Sequence, residues 1–154
     1  MNNPTGYDFS INVLEPAVVE AFNNRYYRNG KGRHAVQLCA PLVGKYKSDE
    51  GKMLNAYDCI LHRDFQVTNF ETGQITFFDV KYQDGKYLNF SISKSCENIN
   101  TLDFFALVYI NTCYICKYED VINNLFPSRK PDEFNLISLK TVQKIKIDSF
   151  TVKM

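Results

Sequence analysis

An aspartate and a lysine stand two residues apart in Asp79-Val80-Lys81, directly after the apolar run Ile75-Thr76-Phe77-Phe78. On a strand successive side chains alternate, so the acid and the base leave the same face. The apolar residues before them anchor the strand in a core while the charged pair points into a cleft. That arrangement suits hydrolysis of a phosphodiester. A carboxylate holds a divalent cation, and a neighbouring ammonium orients a water or offsets charge on the scissile phosphate. An Asp-x-Lys triplet is short, and its meaning rests on the elements around it.

Those elements are legible as hydrophobic patterns. Leu14, Val18, Ala21, Phe22 and Arg25 or Tyr26 recur at helical spacing, and Pro16 fits a first turn. A helix from about Pro16 to Arg28 follows, stopped by Asn29-Gly30. Residues 35–39 read as a strand, and Pro41, Gly44 and the polar run 45–52 as a loop. From Tyr57 to Thr68 apolar and polar residues alternate, which predicts a strand. Residues 69–73 turn it back into a second strand at Gln74–Tyr82, and Asp84-Gly85 marks another turn. Tyr87–Ile92 reads as an extended edge segment and Ser93–Leu102 as a short helix. Phe104–Ile110 is continuously apolar, the mark of a strand buried on both faces. Cys113–Tyr118 is a further strand, and Glu119–Phe126 a short helix ended by Pro127. In the basic tail from Ser128, Leu136–Leu139 reads as a strand and the rest as helix or strand.

At 154 residues the chain reads as one domain, 1–154, with a core over about 14–126 and a basic extension over 128–154. The net charge is only +1, yet no acid occurs between Ala21 and Ser48, where Arg25, Arg28, Lys31, Arg33, Lys45 and Lys47 fall. This stretch is either a solvated face with a loop or a phosphate-binding surface. In the second case Asn23, Asn24, Asn29, Tyr26, Tyr27 and Tyr46 supply polar and stacking partners. The heavy use of Tyr, Phe, Asn and Lys without Trp fits an AT-rich genome such as that of a phage or virus. No segment reaches the ~20 apolar residues of a membrane span, and no leader pattern opens the chain. A soluble, cytoplasmic protein is expected. The five cysteines read as free, mostly buried thiols. Cys113 and Cys116 have C-x-x-C spacing, but a structural zinc needs a second ligand pair that the sequence lacks.

Helix, strand, long hairpin bearing an acid and Asp-x-Lys, short helix and buried apolar strand, in that order, resemble the core of the PD-(D/E)xK nuclease superfamily, the restriction-endonuclease-like fold. The resemblance spans roughly residues 14–122 and implies an α/β (α+β) architecture, a mixed central sheet flanked by helices. It also implies a metal-dependent DNA endonuclease with Asp79 and Lys81 in the second half of the motif. For the first acid, Asp58 lies at the mouth of the first hairpin strand, where the family places it. Asp64 lies nearly opposite Asp79, and the two share one strand face. Asp58 is favoured, with Asp64 as the alternative. Mg²⁺ (or Mn²⁺) would be held by Asp58 and Asp79, with Glu20 on the first helix as a further ligand. Lys94 would touch phosphate, His62 shares the face of Asp58 and Asp64, and His34 sits within the basic stretch. Arg25, Arg28, Lys31, Arg33, Lys45 and Lys47 would grip DNA, and a homodimer would cut both strands. The rival readings are a non-catalytic nucleic-acid-binding or regulatory protein on the same fold, such as a phage accessory factor, and a small interaction protein. Two histidines make a His-based ribonuclease hard to assemble, and neither a G-x-x-x-x-G-K loop nor a G-x-S-x-G elbow is present.

Overall fold

A π-helical turn, Ser10–Leu14, runs straight into helix α1, Glu15–Tyr26, in the computed structural model, which describes residues 9–27, 34–39, 63–98 and 101–154. Pro16 stands in the first turn of α1. Leu14, Val18 and Phe22 make the buried stripe, each four residues from the next as one face of a helix requires. Strands β1 (His34–Leu38), β2 (Phe65–Asn69) and β3 (Ile75–Gln83) form an antiparallel meander, with Val36 opposite Val67 and Phe65 opposite Phe78. Asn69 builds the β2–β3 turn by accepting the N–H groups of Glu71 and Thr72, and Gly73 supplies the φ of +73° that closes it. Of the expected strand at 57–68, residues 57–62 lie outside the described residues.

After β3 come β4 (Asn89–Ser93), a 3₁₀ turn (Lys94–Asn98) and β5 (Phe104–Tyr109), which lies parallel to β3. The chain continues through β6 (Thr112–Lys117), α2 (Tyr118–Ile122), β7 (Phe126–Pro127), β8 (Phe134–Ser138), α3 (Leu139–Ile145) and β9 (Asp148–Thr151). Two sheets result, a mixed six-stranded one in the order β1-β2-β3-β5-β6-β9 and a three-stranded one in the order β4-β8-β7. The architecture is therefore α+β, a mixed central sheet flanked by helices. Of the expected extended segment Tyr87–Ile92, residues 89–92 run as strand β4 in the second sheet while Tyr87 and Leu88 sit in the loop before it, and the helix expected over 93–102 is only the 3₁₀ turn at 94–98.

The central sheet separates two apolar cores. On one face α1 packs Val18 and Phe22 against Phe65, Phe78, Val80, Ala106 and Val108. On the other, Phe105, Leu107 and Cys116 meet Phe90, Ile92, Ile137, Val121 and Val142 from the small sheet and from α2 and α3. Consecutive residues of β5 thus enter opposite cores, which is why its sequence is apolar without alternation. The segment 128–154 is no appendage. Ile137 and Val142 are fully buried in the second core, Val152 in the first, and β9 completes the central sheet. Its lysines dominate the sequence because they occupy the wet faces of short amphipathic elements. Among the described residues no helix is long and apolar enough to cross a membrane.

Candidate active site

Alternation along β3 sends Phe78 and Val80 into the α1 core and leaves Asp79 and Lys81 on the opposite face, beside the 3₁₀ turn. Asp79 is 1% exposed. Its Oδ2 lies 3.2 Å from the Lys81 ammonium and accepts the Cys96 thiol at 3.6 Å. The turn that carries Cys96 is itself fastened from several sides. Tyr118 donates its hydroxyl to the Cys96 carbonyl at 2.5 Å, Asn135 donates to Glu97, and the Lys94 N–H donates to the Glu133 carbonyl.

Asp64 immediately precedes β2 and is 4% exposed. Its N–H donates to the Phe78 carbonyl at 2.8 Å, and its Oδ2 accepts the Val80 N–H at 2.6 Å. The carboxylate therefore takes the place of the next main-chain carbonyl that a longer β2 would offer to β3. Being bonded to the residues on either side of Asp79, it stands beside that acid. Lys81 senses both. Burial opposes its charge, but the Asp79 carboxylate, the Cys96 sulfur and the Asp64 carboxylate together outweigh that and raise its pKa above the ordinary lysine value. An ammonium held this way stays protonated at neutral pH and serves as a hydrogen-bond donor and a positive charge, not as a base.

The sequence pattern favours Asp58 as the partner acid; the structure brings Asp64 to Asp79 and Lys81, while Asp58 and His62 lie outside the described residues. Asp64 is in hydrogen-bonding register with β3. Glu20 is exposed and lines a shallow depression against Phe150 and Lys153. The helix acid that is buried is Glu15, 8% exposed. Its charge reaches Cys39, a thiol that burial first of all raises to about 11, and the Cys39 N–H donates to the Asp64 carbonyl. The signal for Glu15 is in the sequence, since it lies three residues before Val18 and seven before Phe22, on the buried stripe.

Of the expected phosphate contacts, Arg25 and Lys94 are described, and each is paired with a carboxylate. Arg25 forms a two-pronged pair with Asp148, at 2.9 and 3.2 Å, and Lys94 pairs with Glu97 at 3.2 Å. Arg28, Lys31, Arg33, Lys45 and Lys47 lie outside the described residues, and His34 stacks on Tyr27 with ring centroids 4.4 Å apart. Cys113 and Cys116 are three residues apart on β6, so one sulfur enters each core and the two cannot share a metal. Burial pushes the Cys116 thiol up to about 12 and the Cys113 thiol further in the same direction.

No cluster of three or more His, Cys, Asp or Glu side chains among the described residues is placed to hold a metal ion. Mg²⁺ and Mn²⁺ commonly take one or two carboxylates and complete their shell with water and substrate phosphate, so Asp64 and Asp79 are the residues that would hold such an ion. No protein-family model matches the chain, and a search of the curated proteins finds no match.

Proposed function

We propose that this protein is a metal-dependent phosphodiester hydrolase acting on DNA, built on a PD-(D/E)xK-type core, with Asp64, Asp79 and Lys81 as its centre. One observation carries the reading: the acid that precedes β2 is hydrogen-bonded across to the two residues flanking Asp79, and the lysine two residues on is paired with Asp79. The meander β1-β2-β3 with β5 parallel to β3 agrees with the strand arrangement that such a core requires.

A divalent cation at Asp64 and Asp79 would supply Lewis acidity and a hydroxide at neutral pH. Lys81, held cationic, donates a proton-bearing contact to the attacking water or to a non-bridging phosphate oxygen and offsets charge as it builds. Cys96 and the Val80 N–H fix the orientation of the two carboxylates, so little reorganisation is needed when substrate arrives. A homodimer would allow both strands of a duplex to be cut.

The test is incubation of supercoiled, linear and branched DNA with Mg²⁺, Mn²⁺ or EDTA. Cleavage in the divalent ions, none in EDTA, and none by folded Asp79→Asn or Lys81→Met supports the reading; full cleavage by a folded double variant overturns it. A second reading is favoured by the commitments of the carboxylates: Asp79 Oδ2 is shared by Lys81 and Cys96, and Asp64 Oδ2 by Val80. A non-catalytic nucleic-acid-binding protein would keep such internal bonds. Its signature is DNA binding that survives EDTA, with no cleavage under any divalent ion.

A further inference from the structure

The face of β3 that carries Asp79 and Lys81 continues to Gln83, about 7 Å beyond Lys81, a separation of two stacked nucleotide steps. Gln83 lines a groove of about 540 Å³ whose walls include Tyr87, Asn89, Ser91, Arg129 and Phe134. Arg129 gives this lining a positive charge, and no carboxylate is among its side chains.

Tyr87 does not stand out because its loop is loose. Gln83 donates to the Asn89 carbonyl at 2.8 Å and accepts the Tyr87 N–H at 3.3 Å. Asp84 accepts the Lys86 N–H, and the Leu139 N–H donates to the Leu88 carbonyl. Gly85 takes a φ of +98°, and a Cβ there would come within 3.0 Å of the Ile110 side chain, so the loop fits one way against the β5–β6 turn. This fastened loop holds Tyr87 62% and Leu88 66% exposed, with the Lys86 ammonium 5.7 Å from the Tyr87 ring centre. Two adjacent large side chains are thus displayed from an ordered turn at the rim of the groove.

We infer that this groove takes the unpaired nucleotides flanking the scissile phosphate, with Tyr87 and Phe134 as stacking platforms and Arg129 on the backbone. Aromatic faces beside a cationic groove bind single strands largely without regard to sequence, because every base presents a π-face. The amides and hydroxyls of Asn89 and Ser91 are suited to sugar or base edges. This rests on the hydrolase reading for the position of the scissile phosphate, and it narrows the substrate to single-stranded, frayed or branched DNA.

The full chain is titrated in EDTA against a short fluorescein-labelled oligothymidylate and its duplex form, by anisotropy, alongside Tyr87→Ala and Arg129→Glu, with thermal melts as a fold check. The expected result is preference for the single strand, a roughly 5- to 150-fold loss in Tyr87→Ala from one lost stack, and a comparable loss in Arg129→Glu with a shallower salt dependence. Absence of single-strand binding, or unchanged affinity in both folded variants, overturns the inference and leaves a protein partner as the occupant. Single-strand binding without cleavage in Mg²⁺ keeps the groove and removes the hydrolase. Cleavage with unaltered affinity in both variants removes the groove and keeps the hydrolase.

Discussion

Two carboxylates in this protein are each held by a basic side chain and a second donor, and their surroundings make them different objects. Asp148 at β9 takes Arg25 in a two-pronged pair and the Tyr26 hydroxyl, fastening the end of α1 to the edge of the central sheet. Half of the Arg25 side chain is in water. Asp79 takes Lys81 and Cys96 inside the protein, with 2% of its side chain exposed. The first arrangement is a clasp between elements distant in sequence, of a kind worth little individually and weakened by salt. The second joins two neighbours on one strand and so closes no loop. Burying such a pair is costly relative to apolar residues of the same size. Where apolar packing would be more stable, a buried charged pair is the kind of feature that the proposed function would require.

The sharpest way to break the comparison is to remove one partner and then both. Asp79→Ala leaves the Lys81 ammonium facing a core without its carboxylate, which should cost about 3 kcal/mol, the lower end for a broken buried pair, since Lys81 keeps 22% of its side chain exposed. Asp79→Ala combined with Lys81→Met should recover most of that loss in urea unfolding while abolishing metal-dependent cleavage. A double variant as unstable as the single one would make the pair structural. Removing Asp148 should show no comparable rescue, because its partners are already solvated.

A smaller effect separates the two roles of Asp64. Asp64→Ala strips the Val80 N–H of its acceptor, at a cost of about 1–3 kcal/mol for an orphaned buried donor. Asp64→Asn keeps an acceptor oxygen and should retain most of the stability, yet it removes a carboxylate from the proposed metal pair. Isothermal titration with Mn²⁺ checks this: weakened binding in both variants supports the site, and wild-type affinity in Asp64→Asn places the metal elsewhere or nowhere.

Much of this arrangement was legible in the sequence, for physical reasons that differ by element. The stripe of Leu14, Val18 and Phe22, the alternation along β3 and the unbroken apolar run of β5 are direct consequences of burial, so their periodicity exposed them. That Asp79 and Lys81 share a face follows from the strand period alone. Alternation alone cannot separate Asp58 from Asp64, which have the same parity; that Asp64 lies beside Asp79 follows from the register across the hairpin. Glu15 lies on the same stripe as Val18 and Phe22, so its burial follows from that spacing. The second sheet and the folding of residues 128–154 depend on pairings between β4 and β8, whose partners Asn89 and Ser138 are 49 residues apart in sequence, and no local signal encodes such a pairing. Arg25, read as a phosphate contact, was hidden by the same long-range closure with Asp148.

The mildest perturbation, acid, should separate the two carboxylates without any mutation of the proposed centre. Hydrogen bonds from Arg25 and then Tyr26 hold the Asp148 carboxyl down at about 2, below its ordinary value of 3.8. A depressed pKa means that the clasp's contribution is fully present above the unfolded-state value and disappears as pH falls through the folded one. The melting temperature of the wild type should therefore exceed that of Asp148→Asn by a constant margin above about pH 4, and the margin should close as pH falls toward about 2. Near neutral pH, about 1 M NaCl should also narrow it, because the Debye length there shrinks to about 3 Å. The Asp79–Lys81 pair, shielded from the solvent, should leave the melting temperature of Asp148→Asn insensitive to the same salt change. If the margin persists undiminished at the acid end, the clasp acts through packing and neutral hydrogen bonds, and the contrast between an electrostatic fastening and a chemical centre loses one of its sides.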